Sequence, residues 1–600
     1  MSSFSLEQKL IQSIKNTLIT AIKTSNLFKS LICCQLSFNL IQNYFHLADL
    51  LELSINKCLL LNDKRSKDLK SMAIYLIASN NQNINTIIND SNNSLYQECF
   101  IITLNHTPDH LANNLKSSKV ASIIKGWIDN AEFNFNIFDS RSFHFNINHP
   151  SKLLYINQPL QDLDDHLDSY ADKMMAVLTV LHQTPIIKYY DPFSTGTCLA
   201  ARLAWRLQKK LDLMELPKVL PNDDKKNVDF IIIDRSSDPF SPLIHSYYYE
   251  SSIHDLLNVD DFKRIGLNPD NPNENIMTLT ENDQFYAKLR HTQVHQIHDE
   301  ILKLINENPA AKAYFDSLNS QIPTKPNGDA LASISGLMDQ TLSIPEGQKI
   351  MEHKRLSDAL ASAIVNKQVA LFAGLEQDIS LNVATDPHKE LQKLLLNDKI
   401  DVDDKLRLFL VYFIRYLFTK PEIIQAAQDQ LGQVAVDGME GIQVLFGKKP
   451  RPQNENHPEY RYTYKGWKSL NNIPKQASDE YEPVIGKIIE DILKNDGSPL
   501  VVPFKKTGST DIDRTLSTLR GKGVVIPFSP QGFSATWGKL VPVDTQNMSG
   551  IDYLSHGRRT ILFIIGGMTL SEIQAVHQLS TQYERSLIIG KYTLFIPRVH

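Results

Sequence analysis

The feature that most constrains this 600-residue chain is a rhythm of short apolar, β-rich runs separated by stretches with helical spacing of apolar residues. Runs at 31–34, 58–61, 73–77 and 100–104 each fit one buried strand. Strands apolar on both faces belong to parallel sheets whose connections are helices. The pattern resumes near residue 140, with strands at 186–190 and 228–234 around a helix at 199–211, and then stops. From about residue 281 to 420 it is overwhelmingly helical. Strands return at 500–503, 523–526, 560–565 and 586–589. With the earlier strands they complete one sheet, which predicts a second α/β domain discontinuous in sequence and a helical insertion within it.

Ahead of the first strand, Leu6, Leu10, Ile14, Leu18 and Ile22 recur every four positions and mark an amphipathic docking helix. The asparagine-packed segment 80–93 reads as a solvated loop around a short helix, without a role. The balance of 62 Lys+Arg against 67 Asp+Glu, net −5, gives no global attraction for nucleic acid or anionic lipid. Such a contact has to come from a local patch. Five cysteines, Cys33, Cys34, Cys58, Cys99 and Cys198, have no C-x-x-C spacing and read as reduced thiols of a cytosolic protein. The most apolar stretches, 561–568 and 408–414, fall short of the ~20 residues of a membrane span.

Asp234 and Asp238 follow an apolar strand, where α/β enzymes place catalytic or metal-binding carboxylates. No second ligand cluster or phosphate loop accompanies them, and an Asp–Arg pair with a Pro-terminated turn is the simpler reading. His291, His295 and His298 fit a helical face, but a zincin needs Glu where Thr292 stands. The stretch 532–538 has two residues too many for a nucleophile elbow. Gly566-Gly567 could cradle a phosphate at a strand-to-helix turn, yet Thr569-Leu570-Ser571-Glu572 has capping-box spacing and offers the orphan amides side-chain partners. The basic, aromatic stretch 461–468 reads as a protein-contact loop rather than a nucleic-acid groove.

The run Ile231-Ile232-Ile233-Asp234-Arg235-Ser236-Ser237-Asp238-Pro239-Phe240-Ser241-Pro242-Leu243-Ile244-His245, with Asp255-Leu256-Leu257 after it, resembles the signature of the SM family. These are the Sec/Munc-type, syntaxin-binding regulators of SNARE-driven vesicle fusion. Further similar stretches stand in order: Leu289-Arg290-His291, Ile344-Pro345, Leu375-Glu376-Gln377-Asp378, Asp404-Lys405-Leu406-Arg407, and Ile564 to Glu572 with its Gly566-Gly567. The resemblance spans nearly the whole chain.

It implies an arch of α/β plus α class, with two parallel-sheet domains, the second discontinuous, and a largely helical third inserted in the second. The boundaries it implies are 1–139, 140–256, 257–484 and 485–600. It further implies a cytoplasmic, monomeric SNARE-assembly chaperone without cofactor, metal or nucleic acid, whose partners are a syntaxin-type (Qa) SNARE and the assembling SNARE complex. Membrane association is then indirect, through the SNAREs. Secretion is the expected step, with a Golgi or endosomal/vacuolar step as the alternative; a hydrolase or metal-dependent transferase using Asp234 and Asp238 is the alternative of another class.

Site residues follow from the same resemblance. Thr107, Leu111, Ala112 and Ile124 fall on the outer pocket for a syntaxin N-terminal peptide, where Ala112 replaces the common bulky aromatic and makes the pocket shallower. Cys34, Gln35 and Asn39 fall on the central cleft, where they replace charged residues. Pro345 matches the hinge of the third domain's helical hairpin, and Asp234, Arg235, Asp238, Pro239, Pro242, Gly566 and Gly567 are the signature's structural residues.

Overall fold

The computed structural model describes residues 5–129, 160–181, 185–190, 199–213, 228–260, 276–309, 345–416, 421–445, 480–495, 501–503 and 559–591, with shorter stretches within 131–145, 183, 263–267 and 311–316. The strand expected at 523–526, the stretch 532–538, the loop 461–468 and Cys198 lie outside the described residues.

Helix α1 (Leu6–Ile22) is capped by Ser5, whose hydroxyl accepts from Gln8 N. Leu6, Leu10, Ile14 and Leu18 are buried, but at the fifth position burial moves to Ala21 and Ile22 is only partly covered. A 3.6-residue turn drifts off a strict four-residue spacing over that length. There follow β1 (Phe28–Cys33), α2 (Gln35–Tyr44), α3 (Leu47–Glu52), β2 (Ile55–Leu60), β3 (Ser71–Ile77), α4 (Asn81–Asn92), β4 (Glu98–Thr103), α5 (Asp109–Ser117), α6 (Val120–Ile123) and β5 (Ile124–Ile128). The five strands form one parallel sheet in the order β2-β1-β3-β4-β5, and the central β3 is buried at every position.

The asparagine-rich segment is more helical than its composition suggests. Asn80 caps α4, its Oδ1 accepting from Asn83 N at 2.9 Å, while Ile84 and Ile87 face the core. Buried Asp90 receives both Arg65 (2.7 and 2.8 Å) and the Tyr75 hydroxyl (2.9 Å). Asparagine is a weak interior helix former but a strong cap, and tertiary burial decides the rest.

The second sheet opens with a hairpin that the sequence pattern did not show, β6 (Asn136–Asp139) and β7 (Ser142–His144). It continues through α7 (Leu160–Val180), β8 (Pro185–Tyr190), α8 (Leu199–Leu213) and β9 (Val228–Asp234). The chain then leaves the sheet through α9 (Tyr249–Leu256), the antiparallel pair β10 (Arg264–Gly266) and β11 (Ile276–Thr278), α10 (Gln284–Leu289) and α11 (Val294–Glu307). After these come α12 (Pro345–Asn366), α13 (Val369–Ser380), α14 (Pro387–Leu395), α15 (Val402–Arg415), α16 (Pro421–Leu431) and α17 (Gln433–Leu445). It returns with α18 (Val484–Asn495), β12 (Val501–Pro503), β13 (Thr560–Ile565), α19 (Leu570–Gln582) and β14 (Leu587–Lys591).

The strand order is β12-β8-β9-β13-β14-β7-β6, parallel except at its two edges. β9 pairs directly with β13, from Asp229↔Thr560 to Asp234↔Ile565, so one sheet is assembled from two distant parts of the chain. Helices α7 and α8 cover one face, in a core continuous with α1 and the first sheet, and α18 and α19 cover the other. The inserted helices build two cores of their own, one among α9 to α12 and one among α13 to α17. α15, buried from Asp404 to Arg415, is the axis of the second. Among the described residues no helix is long and apolar enough to cross a membrane.

Candidate functional site

The cleft-side residues lie where β1 leaves the first sheet. Cys34 holds the extended N-cap position of α2 and turns inward, with Ala78 N donating to its Sγ at 3.3 Å and Ser37 Oγ 3.4 Å away. Gln35 and Asn39 stand one turn apart on the outside of α2, and Gln35 Nε2 donates to Asn39 Oδ1 at 2.8 Å. Leu36 beside them is 43% exposed. Two of the three predicted cleft residues thus share a neutral, hydrogen-bonding face, and the third is a core thiol beneath it.

Of the four residues expected at the outer pocket, Thr107 is held by a residue that the sequence reading missed. Asp129, just past β5, accepts from Thr107 N (3.1 Å), Thr107 Oγ1 (2.6 Å) and Thr103 Oγ1 (2.8 Å), with His106 Nδ1 at 2.8 Å. Its signal was available, a carboxylate at the C-terminal end of a parallel strand, but β5 itself had not been recognised. Thr107 and Leu111 are buried, whereas Ala112 and Ile124 are partly exposed.

Pro345 is the first residue of α12. At that position its missing N–H leaves no intrahelical bond broken and its fixed φ suits the helix start.

The signature residues converge on buried junctions. Asp234 Oδ1 accepts from Ser236 N at 2.8 Å and fixes the turn after β9. Asp238 is saturated: Ser241 N (3.0 Å) and the Tyr481 hydroxyl (2.8 Å) donate to one oxygen, Ser241 Oγ (2.6 Å) and Val484 N (2.9 Å) to the other. Arg235 Nη1 donates to the Asp238 carbonyl at 3.1 Å, and its Nη2 pairs with Glu572 Oε1 at 2.6 Å. Burial raises the Glu572 carboxyl, and Arg235 opposes that shift. Glu572 completes the capping box of α19 with Thr569, as the spacing predicted. Gly566 and Gly567, with φ of 94° and 107°, turn β13 into that helix through a region that side-chain-bearing residues rarely adopt. Pro239 and Pro242 are buried along the segment that follows β9.

A second junction ties this turn to the helical insertion. Glu376 of α13 accepts from His245 N (3.0 Å) and Nδ1 (2.8 Å). Arg407 of α15 contacts His245 Nε2 at 2.8 Å and donates to Asp255 at 2.8 and 3.1 Å and to the Leu243 carbonyl at 3.1 Å. Burial and the Arg407 charge work against a protonated imidazole, but Glu376, Asp255 and Asp404 outweigh them and push His245 up to about 9.

At a third junction Arg290 donates to Asp139 (2.7 Å), Glu250 (2.9 Å) and Glu281 (2.8 Å), joining β6, α9 and the start of α10. His577 of α19 reaches Asp139 at 2.9 Å. Burial works against a charge on Asp139, but His577 and Arg290 outweigh it and hold the carboxyl well below the usual range. Asp139, Glu281 and His577 bring three potential metal ligands within 4.8 Å of one another; Arg290 already supplies the cation to both carboxylates. The three histidines weighed for zinc do not converge. His291 precedes α11 and packs on the His577 ring, whereas His295 and His298 are exposed on the helix.

Comparison with known proteins agrees with this architecture. The sequence profile of the Sec1 family matches residues 29–594. The chain is 23% identical to the protein transport protein sec1 of Dictyostelium discoideum, across 99% of this chain and 98% of that protein. Its fold is similar to the Unc18 protein in the Unc18–syntaxin 1 complex from Monosiga brevicollis, with TM-score 0.71, 18% identity and coverage of 99% and 98%. It is also similar to the SM protein Vps45 in complex with the Qa SNARE Tlg2, with TM-score 0.68, 17% identity and coverage of 99% and 96%.

Proposed function

This chain belongs to the Sec1 family, and from that premise we propose that it is a SNARE-assembly chaperone that binds a syntaxin-type (Qa) SNARE and promotes vesicle docking and fusion in secretion. The observation that carries the reading is the use made of the signature residues. Asp238, Arg235, His245, Glu376 and Arg407 are all buried and spend their polar groups joining segments of this chain to one another. A carboxylate whose oxygens hold four donors is poorly placed to bind a metal or move a substrate proton. It is well placed to fix the angle between an α/β domain and a helical one, as a rigid scaffold requires. Such a scaffold lowers the ordering cost of partner helices that are disordered on their own.

In this reading the chain is a monomeric, non-enzymatic clamp divided at 1–139, 140–256, 257–484 and 485–600. The neutral Gln35–Asn39 face of α2 meets the Qa SNARE in the cleft, the Ala112–Ile124 surface receives its N-terminal peptide, and Pro345 is the hinge at which α12 lengthens or breaks. The likeness to Vps45 keeps an endosomal step as the alternative to secretion. Affinity capture from cytosol and membranes, with identification of the co-purifying Qa SNARE, tests both points. A plasma-membrane syntaxin supports the secretory step, an endosomal or Golgi one reassigns it, and recovery of no Qa SNARE overturns the proposal.

A further inference from the structure

The edge of the first sheet at which its strands begin carries an unusual combination of side chains. Phe28, at the start of β1, is 61% exposed, and Leu69, just ahead of β3, is 46% exposed. Phe28 N donates to the Lys70 carbonyl at 3.1 Å, so the two apolar side chains belong to adjacent strand ends. Two carboxylates of this edge are matched by lysines. Asp68 pairs with Lys57 at 2.8 Å and Glu98 with Lys125 at 2.9 Å. Asp68 N donates to the Leu95 carbonyl at 2.8 Å, and Lys119 donates to the neighbouring Ser94 Oγ at 2.7 Å, which brings a further lysine to the same edge. Lys29 folds inward onto the carbonyls of Ser25 and Leu27. Lys23, Lys67 and Lys70, all exposed, remain on this edge with no carboxylate partner among the described residues.

Two isolated apolar side chains are far too little surface for a stable protein partner, which buries roughly 1,200 Å² or more. A fluid headgroup layer has no such threshold. It accepts single apolar wedges and adds attraction for each lysine near anionic phosphate, roughly fivefold in partitioning per residue. The chain as a whole is net negative, so this attraction has to be local. We propose that this edge is a contact surface for an anionic lipid bilayer, with Phe28 and Leu69 entering the headgroup region and Lys23, Lys67 and Lys70 facing lipid phosphates. The surface turns the first domain's strand ends toward the membrane and gives the protein a direct foothold there. It does not depend on the chaperone reading.

Flotation of the full-length chain with protein-free vesicles tests the assignment separately from any SNARE binding. Vesicles of phosphatidylcholine alone are compared with phosphatidylcholine containing a third phosphatidylserine, at low and at physiological salt. The chain is expected to float with the anionic vesicles, more strongly at low salt, and not with the neutral ones. The double variant Lys67→Glu, Lys70→Glu is expected to lose about twenty-five-fold or more in partitioning, and Phe28→Ser with Leu69→Ser to weaken it at both salt concentrations. All four positions are on the surface, and an unchanged melting temperature establishes that each variant is folded. Equal flotation with both vesicle types, or charge-reversed protein that is folded and floats as well as the wild type, would overturn the assignment.

Discussion

Arg407→Met removes the cation at the centre of the junction between α9, α13 and α15. The side chain is 1% exposed and carries contacts to Asp255, His245 and the Leu243 carbonyl. Methionine fills most of the volume, so the loss is chiefly electrostatic: Asp255 and Asp404 stay behind in a buried site with no guanidinium between them. Breaking a buried ion pair from one side costs about 3–5 kcal/mol, whereas replacing both partners with apolar groups is often close to neutral. The double variant Arg407→Met, Asp255→Leu should therefore recover at least about half of the loss. A chain of several cores does not give one unfolding free energy, so the assay is amide hydrogen exchange of α9 and α15. At 1.36 kcal/mol per tenfold, protection in the single variant should drop by about two to nearly four orders of magnitude. A drop of less than about tenfold, or a double variant that exchanges as fast as the single, would refute the view that this junction is held by its charges.

Four further outcomes follow from the same contacts. Burial keeps His144 down at about 3, and burial with neighbouring cations keeps His254 and His291 down at about 4. The unfolded chain therefore binds protons that the native one does not as pH falls below about 6.5. The contribution of these three histidines is complete above that value and declines by about 2 kcal/mol per histidine toward pH 5, measurable as a falling melting temperature that His254→Leu makes less steep, whereas His245, held up at about 9, contributes stability below about 6.5 that is lost as pH rises through 9. Asp238→Ala strands the Tyr481 hydroxyl and Val484 N and should cost about 3 kcal/mol in exchange protection of α18. Pro345→Ala, which restores an amide donor at the start of α12, should let the helix extend and raise the rate of SNARE-driven liposome fusion; an unchanged rate counts against the hinge. Ala112→Phe should deepen the outer pocket and tighten binding of a Qa N-terminal peptide about tenfold, read by fluorescence anisotropy.

Most strands were legible because a parallel sheet buries both faces and leaves unbroken apolar runs, as at 73–77 and 560–565. The ones missed lack that signal. β5 is half-buried, and β6 and β7 are a short hairpin at the sheet's edge whose partners come from the far end of the chain. Local propensity also misjudged α4: its Asn80 cap is local, but its buried Asp90 is matched only by Arg65 and Tyr75, distant in sequence. The capping box of α19 was legible because both partners lie three residues apart. Among site residues, the motif around Asp234 and its structural character were visible, but its partners were not. Nothing local announces that Asp238 will meet Tyr481 or that Arg235 will meet Glu572. Asp129 was missed with β5, the half-buried strand that it follows, and its partners Thr103 and Thr107 are brought beside it by the fold.

The account stands on a scaffold that shapes other polypeptides, and the rate of SNARE assembly measures that directly. A fluorescently labelled Qa SNARE is mixed with its cognate partner SNAREs, with and without a stoichiometric amount of the purified chain, and formation of the four-helix complex is followed in time. Saturable binding of the Qa SNARE and faster assembly are expected of the wild type. A chain that neither binds the Qa SNARE nor changes the rate would contradict the account.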